Sequence, residues 1–273
     1  MSVFRAACVQ LRSSDDVGEN IRVASEFIRE AKGQGAQFVA TPENTTLMAP
    51  DAGAKLESSF SEDRDPALPA FTALAEELGI WLLIGSLAIK VSDTKTANRS
   101  FLIDPKGRIT VRYDKIHLFD TQPGAGEAYR ESNTVEGGNR AVLTETPWGK
   151  MGLTICYDVR FPQLYRRLAQ AGAFLLTVPS AFTETTGKAH WHTLLRARAI
   201  ENGAFVMAPA QGGMHANGRA TYGHSLIIAP WGEILAEAGT EPGVIVADID
   251  PAAITSAHGR VPSLQHDRTF EGP

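Results

Sequence analysis

Cysteine is scarce in this chain: 273 residues hold two, Cys8 and Cys156. Two thiols build neither a disulfide framework nor a cysteine-rich zinc site, so the expectation is a reduced, cytoplasmic protein. Long apolar runs are also missing. The longest, residues 79–89, falls well short of the about 20 residues that span a bilayer and is interrupted by Gly85 and Ser86. The first five residues, Met1 to Arg5, lack the basic segment and long apolar stretch of an export signal. Basic charge is in deficit, with 26 Lys and Arg against 31 Asp and Glu and a net charge of −5. Such a chain has no broad cationic surface for a phosphate backbone, which argues against a nucleic-acid partner. No repeat and no Pro-, Gly- or Ser-rich linker divides it. At 43% hydrophobic and 21% charged residues it reads as one globular domain over 1–273 rather than a disordered chain.

What is present is an alternation of strand and helix patterns. An apolar run at 3–9 precedes a helix over 19–32, whose Ile21, Ala24, Phe27, Ile28 and Ala31 share one face before Gly33 and Gly35 end it. A strand at 37–41 then meets Pro42 and hands over to Glu43. A second helix over 65–78 has Asp65 to cap it, Pro66 in its first turn and Gly79 beyond its end, with a stripe of Leu68, Phe71, Leu74, Ala75 and Leu78. Strands follow at 80–85, 99–103 and 108–113, the last two joined by the turn Asp104-Pro105-Lys106-Gly107.

Residues 120–139 read as one long loop, and loops of that length in compact enzymes are often functional. Beyond it lie strands at 141–145 and 150–155, a helix from Phe161-Pro162 to Gly172, a strand at 173–178 and a helix over 188–202. Strands near 204–208, 224–229 and 244–249 and a partly helical tail from Pro251 complete the chain. Helix–strand units mixed with hairpins suit two sheets packed face to face with helices outside, a four-layer αββα sandwich. Periodicity alone also admits a single mixed sheet.

Cys156 follows the apolar segment MGLTI and precedes a turn into a helix. A thiol at such an elbow is held rigidly near a helix N-terminus, as a nucleophile should be. The competing reading is an inert buried cysteine, which is how Cys8 reads. A thiol with an ordinary pKa of about 8.5 needs a base, yet no local pattern joins any of the seven histidines to Cys156. Other chemistries lack their signatures. Gly223-His224-Ser225-Leu226-Ile227 misses the last glycine of a serine-hydrolase elbow. His190 and His192, flanking Trp191, lack the H-E-x-x-H spacing and read as helix-start histidines. Gly124-Ala125-Gly126 has no third glycine and follows no strand, so no dinucleotide site is expected. Glu43 in TPEN and Lys115 in YDKIHLFD, each taken alone, are as well read as solvated or salt-bridged charges. With Cys156 they share one property: all three stand at or just after the C-terminal end of a predicted strand, where α/β folds gather their chemistry.

PEN around Glu43, YDKIHLFD around Lys115 and GLTICYDVRFP around Cys156 resemble, in order and spacing, the three signature segments of the nitrilase superfamily of carbon–nitrogen hydrolases. The likeness continues through 179–202, 218–233 and 261–268. It is nearest to the Nit-type amidases, a branch known for cleaving deaminated glutathione and for ω-amidase activity; PSAF and AQGGMHANGRATYGHS look closer to the former. The resemblance implies an αββα sandwich, a Glu43–Lys115–Cys156 triad, no metal or cofactor, and a homodimer or larger homo-oligomer. Its substrate would be a small amide bearing a carboxylate. Glu131 in YRESN matches a supporting glutamate that orients Lys115 or the attacking water. Arg160 matches an arginine for the substrate carboxylate, with a structural ion pair to Asp158 as its alternative, and Phe182 and Thr186 would line the same pocket.

In the implied chemistry Glu43 takes the thiol proton, and Lys115 and the Tyr157 N–H hold the oxyanion. A non-catalytic scaffold, a metal-dependent hydrolase and a nitrilase are the other readings, and the intact triad argues against the first. For assembly, the apolar face at Leu164, Tyr165 and Leu168 offers a dimer seam, and the tail from about residue 251 would join the oligomer contacts.

Overall fold

A computed structural model describes residues 2–124 and 128–272. Its N-terminal half contains β1 (Phe4–Gln10), α1 (Val17–Gly33), β2 (Phe38–Ala40), α2 (Ala52–Glu57), α3 (Ala67–Leu78), β3 (Trp81–Lys90), β4 (Thr96–Ile103) and β5 (Ile109–Asp114). The short strands β6 (Asp120–Thr121), β7 (Tyr129–Arg130) and β8 (Val135–Glu136) follow. Next come β9 (Val142–Thr146), β10 (Gly149–Leu153), α4 (Pro162–Gln170), β11 (Ala173–Thr177), α5 (Glu184–Asn202) and β12 (Phe205–Ala208). The chain ends with β13 (Gly212–Met214), β14 (Ala220–Tyr222), β15 (Leu226–Ile228), β16 (Ile234–Glu237), β17 (Gly243–Ile249) and α6 (Ala252–Arg260).

Two mixed sheets result. One runs β17-β1-β2-β3-β4-β5, with β8 added to β4, and the other runs β16-β15-β12-β11-β10-β9. Alternation along β1 shows why they stack. Phe4, Ala6 and Cys8 join Phe38, Ala40, Leu83 and Leu102 in the core shared with Met151, Leu153 and Val206 of the second sheet. Ala7 and Val9 face the other way, onto Ala24 and Ile28 of α1 and Phe71 and Leu74 of α3. A strand buried on both faces places apolar side chains on each in turn, so each sheet takes a helical layer outside and its partner sheet inside. On the far side, Leu168 of α4 packs within 3.0 Å of where a Cβ on Gly152 would stand. The fold is the four-layer αββα sandwich; the single mixed sheet is not what forms.

The local signals act as read in most places. Asp16 caps α1 through Glu19 N at 2.9 Å, and Asp65 accepts from Ala67 N at 2.8 Å at the start of α3. Asp104 holds the β4–β5 hairpin, its Oδ1 accepting from Lys106 N at 2.9 Å and Arg108 N at 3.0 Å. Three differences stand out. α5 begins at Glu184 rather than Lys188 because Thr183 caps it through Thr186 N. The strand before the nucleophile stops at Leu153, and Thr154 and Ile155 carry the chain to the elbow. The 120–139 loop is organised by the β6–β7 ladder, a 3-10 turn over Glu131–Asn133, and β8. Residues 125–127, including most of the Gly124-Ala125-Gly126 run, lie outside the described residues.

The apolar face of α4 is not a dimer seam. Leu164, Tyr165 and Leu168 are buried in the chain's own core, and the Tyr165 hydroxyl lies 2.6 Å from Thr154 Oγ1. An amphipathic helix on a sheet spends its stripe on the sheet. The tail packs over the outside of the same helix: Arg166 Nη2 donates to Ser263 O at 2.8 Å and Gln170 Nε2 to Leu264 O at 3.3 Å. Among the described residues no helix is long and apolar enough to cross a membrane.

Candidate active site

The C-terminal ends of β2, β5, β10 and β11 converge. Glu43 follows β2 through Thr41-Pro42, and Asn44 after it adopts the left-handed region at φ +56°. β3 must come close here: a Cβ on Gly85 would stand 2.0 Å from Thr41 O and 2.5 Å from Pro42 O, so only glycine fits. Lys115 comes directly after β5, its N–H bonded to Asn98 O at 3.0 Å. Cys156 opens a 3-10 turn over Cys156–Arg160 and is one of the non-glycine residues with positive φ, at +47°. That conformation is strained for an L-residue and recurs at functional sites. The Cys156 N–H donates to Pro179 O at 2.9 Å, beyond β11.

Asp158 ties this elbow to the lysine. Its Oδ2 accepts from Ile155 N at 2.8 Å and from the Tyr113 hydroxyl at 2.6 Å, while Oδ1 accepts from His117 N at 3.0 Å and lies 2.7 Å from His117 Nδ1. Asn98 ties the two glutamates together, donating through Nδ2 to Glu43 Oε1 at 2.9 Å and to Glu131 Oε1 at 3.2 Å. Neither residue was singled out from the sequence. Asp158 entered the sequence reading only as an alternative ion-pair partner for Arg160, and Asn98 did not enter it.

The central group is a buried ion cluster. Glu43 is 3% exposed, Lys115 2% and Cys156 6%. Lys115 Nζ donates to Glu43 Oε1 and to Glu131 Oε2, each at 2.9 Å; Glu131 Oε2 also accepts from Phe119 N at 2.7 Å, and Glu43 Oε2 from Ala181 N at 2.8 Å. Burial by itself would raise the Glu43 carboxyl, but the Lys115 ammonium and hydrogen bonds from Lys115, the Cys156 thiol and the Ala181 N–H bring it down to about 2. Burial would likewise strip Lys115 of its proton, and the charges of Glu131 and Glu43 hold it there, well above the usual lysine range. The Cys156 thiol is pushed up by burial and by the Glu43 charge, with Lys115 opposing. The resting site is therefore carboxylate, ammonium and neutral thiol.

These residues open on a cavity of about 410 Å³ lined by Glu43, Lys115, Glu131 and Cys156 together with Phe182 and Thr186. Tyr157 and Arg160 do not line it. The Tyr157 ring meets Phe119 and Phe161 edge-on at 5.1 and 5.5 Å, and its N–H lies in the first turn after Cys156, where amides lack helical partners. Arg160 is not paired with Asp158. Its guanidinium lies over the Phe182 ring at 5.4 Å and the Tyr157 ring at 5.8 Å, with Nη2 3.3 Å from His190 Nδ1. His192 meets Glu237 at 2.9 Å, and neither lines the pocket. Cys8 is buried and free, with burial pushing its thiol up, as an inert cysteine should be. The cavity wall also holds three cations the sequence reading passed over, Lys55, Arg130 and Arg219.

Comparison with known proteins agrees with this geometry. The carbon-nitrogen hydrolase family model matches residues 5–258. A deaminated glutathione amidase of Synechocystis is 42% identical over 97% of this chain and 98% of its own length. Saccharomyces cerevisiae Nit3, a member of the nitrilase superfamily, superposes with a TM-score of 0.86 at 30% identity, over 95% of this chain and 94% of that one. A glutamate-to-glutamine variant of the amidase from Nesterenkonia sp. AN1, carrying the acetamide moiety of fluoroacetamide on its active-site cysteine, aligns with a TM-score of 0.83 at 27% identity, covering 97% and 94%. With two stacked mixed sheets and a buried glutamate, lysine and cysteine at their strand ends, this chain belongs to the carbon–nitrogen hydrolase family of the nitrilase superfamily, enzymes that hydrolyse carbon–nitrogen bonds.

Proposed function

We propose that the protein is a cysteine-dependent amidase that hydrolyses the amide of deaminated glutathione to 2-oxoglutarate and cysteinylglycine. The observation that carries this reading is the Glu43 carboxylate, bonded to the Lys115 ammonium at 2.9 Å and sharing with Lys115 and Cys156 the lining of one 410 Å³ pocket. A cavity of that size falls in the range of about 300–1,000 Å³ that encloses drug-sized ligands. The relative named deaminated glutathione amidase, similar over its whole length, supports the substrate.

Sγ of Cys156 attacks the amide carbonyl as Glu43 takes the thiol proton. The oxyanion is held by Lys115 Nζ and the Tyr157 N–H, groups already ordered before reaction. Glu43 returns the proton to the amide nitrogen, the C–N bond breaks and the amine leaves, with a thioester remaining on Cys156. Glu43 then takes a proton from water, the resulting hydroxide adds to the thioester, and the acid departs as the thiol regains its proton. Glu131 positions Lys115. Phe182 and Thr186, which line the pocket, hold the 2-oxo acid part, and the Arg160 guanidinium, packed over Phe182 outside the lining, favours its carboxylate through charge. The chain acts as one catalytic domain in the cytoplasm, as a homodimer or larger homo-oligomer to whose contacts the tail beyond residue 251 contributes.

The test is kcat/KM for deaminated glutathione against 2-oxoglutaramate, with Cys156→Ala as the blank. Preference for the first is expected. Preference for the second makes the protein an ω-amidase, and activity that survives in Cys156→Ala overturns the mechanism.

A further inference from the structure

The pocket holds more positive charge than its catalytic cluster uses. Lys115 is matched by Glu43 and Glu131. Lys55 of α2 and Arg219, just before β14, also line the cavity, and neither forms an ion pair with a described carboxylate. Asp51 at the rim is spent on capping α2, accepting from Ala54 N at 2.9 Å. Arg219 Nη2 donates to Ala181 O at 2.6 Å, but its Nε is buried with no acceptor. A buried N–H of a cation left without a partner is costly, and proteins keep such groups where a ligand completes them. Lys55 is half-buried. Desolvation lowers its pKa, while Glu131 and Glu43 act to raise it, so its ammonium lies within electrostatic reach of both.

The side of the pocket matters. Glu43 protonates the departing nitrogen, so the amine must leave along the face of that carboxylate. Ala181 donates its N–H to Glu43 Oε2 and accepts from Arg219 through its carbonyl, so a single residue separates the acid from the guanidinium. Arg160, by contrast, lies over Phe182 toward His190 on α5.

We infer that Lys55 and Arg219 form a second anion subsite, on the leaving-group side of Cys156, which takes the terminal carboxylate of the departing amine. This rests on the amidase reading above, and it explains selection of a dipeptide leaving group over ammonia. The acyl part contributes one carboxylate and the amine part another, and Lys55 and Arg219 take the second.

The test uses three substrates: deaminated glutathione, the same compound with its glycine carboxylate converted to an N-methylamide, and 2-oxoglutaramate, which has only the acyl carboxylate. The wild type is expected to favour the free acid over the methylamide by about tenfold or more, the scale of one charge-assisted hydrogen bond. Lys55→Met and Arg219→Gln should collapse that ratio, chiefly through KM, and Lys55→Arg should restore it. Equal rates on acid and methylamide in the wild type overturn the subsite, as do variants that lose the same factor on both. An equally large loss on 2-oxoglutaramate assigns the two cations to the acyl carboxylate and overturns the leaving-group placement.

Should the wild type turn over none of the three, the amidase reading fails, and the subsite is judged by binding. Stronger protection of Cys156 from iodoacetamide by cysteinylglycine than by its methylamide, lost in Lys55→Met, supports it; equal protection overturns it.

Discussion

The Tyr113 hydroxyl donates to Asp158 Oδ2 at 2.6 Å, joining the strand that delivers Lys115 to the turn that carries Cys156. Asp158 also accepts from Ile155 N and His117 N, so one buried carboxylate sets both the elbow and the lysine segment. Asp158→Ala should cost about 3 kcal/mol or more of stability, because several buried donors lose their acceptor together. Tyr113→Phe removes a single donor and should cost about 1 kcal/mol. Urea denaturation measures both. Kinetics of the folded variants should show kcat falling more than KM rises, since the damage is to the placement of nucleophile and lysine.

Glu43 is predicted to make stability depend on acid. Its folded-state carboxyl, at about 2, lies below the ordinary 4.5, so the stabilisation is complete above pH 4.5 and is lost as pH falls toward 2. Unfolding midpoints measured across that window should drop in the wild type and drop less steeply in Glu43→Gln. That variant should also lose about 10²–10⁴-fold in kcat, the range for removing a general acid–base.

Cys156 should react as a thiol relayed through Glu43 and not as a free thiolate. Burial and the Glu43 charge keep it protonated. The rate of alkylation by iodoacetamide should therefore show no rise centred on the ordinary thiol pKa of about 8.5. A clear titration there would overturn the proton inventory of the resting site.

Gly85→Ala should damage catalysis from outside the reacting groups. The added Cβ would press on Thr41 O and Pro42 O, the backbone that delivers Glu43. Overpacking of this kind costs about 1–3 kcal/mol. The loss of kcat should exceed that of an alanine at Gly239, where a Cβ meets nothing within 4 Å.

The elements and the candidate reacting groups were legible because their causes are local. The 3.6-residue stripes of α1 and α3, the Asp16 cap, the Asp65 carboxylate bonded to Ala67 N just ahead of α3, the left-handed Gly79 and the Asp104 turn all act within a few residues. Glu43, Lys115 and Cys156 stood at strand ends, which is enough to suspect them. α5 holds a glycine, Gly187, because a Cβ there would meet Tyr222 at 2.3 Å, a contact from another part of the chain that no local pattern shows.

What only the tertiary structure decided are the bonds that close the site. Asn98 reaches Glu43 across 55 positions, Asp158 reaches Tyr113 across 45, and Gln211 Nε2 donates to Glu43 O across 168. Lys55 and Arg219 come to one pocket wall from α2 and the β13–β14 hairpin. The face of α4 at Leu164, Tyr165 and Leu168, which the sequence left free for a partner chain, turned out to be covered by the chain's own sheet. The reason is the same in each case. Local chemistry specifies which strand ends carry reactive groups, whereas the choice of partner for a buried polar group or an apolar stripe is made when the two sheets close on one another.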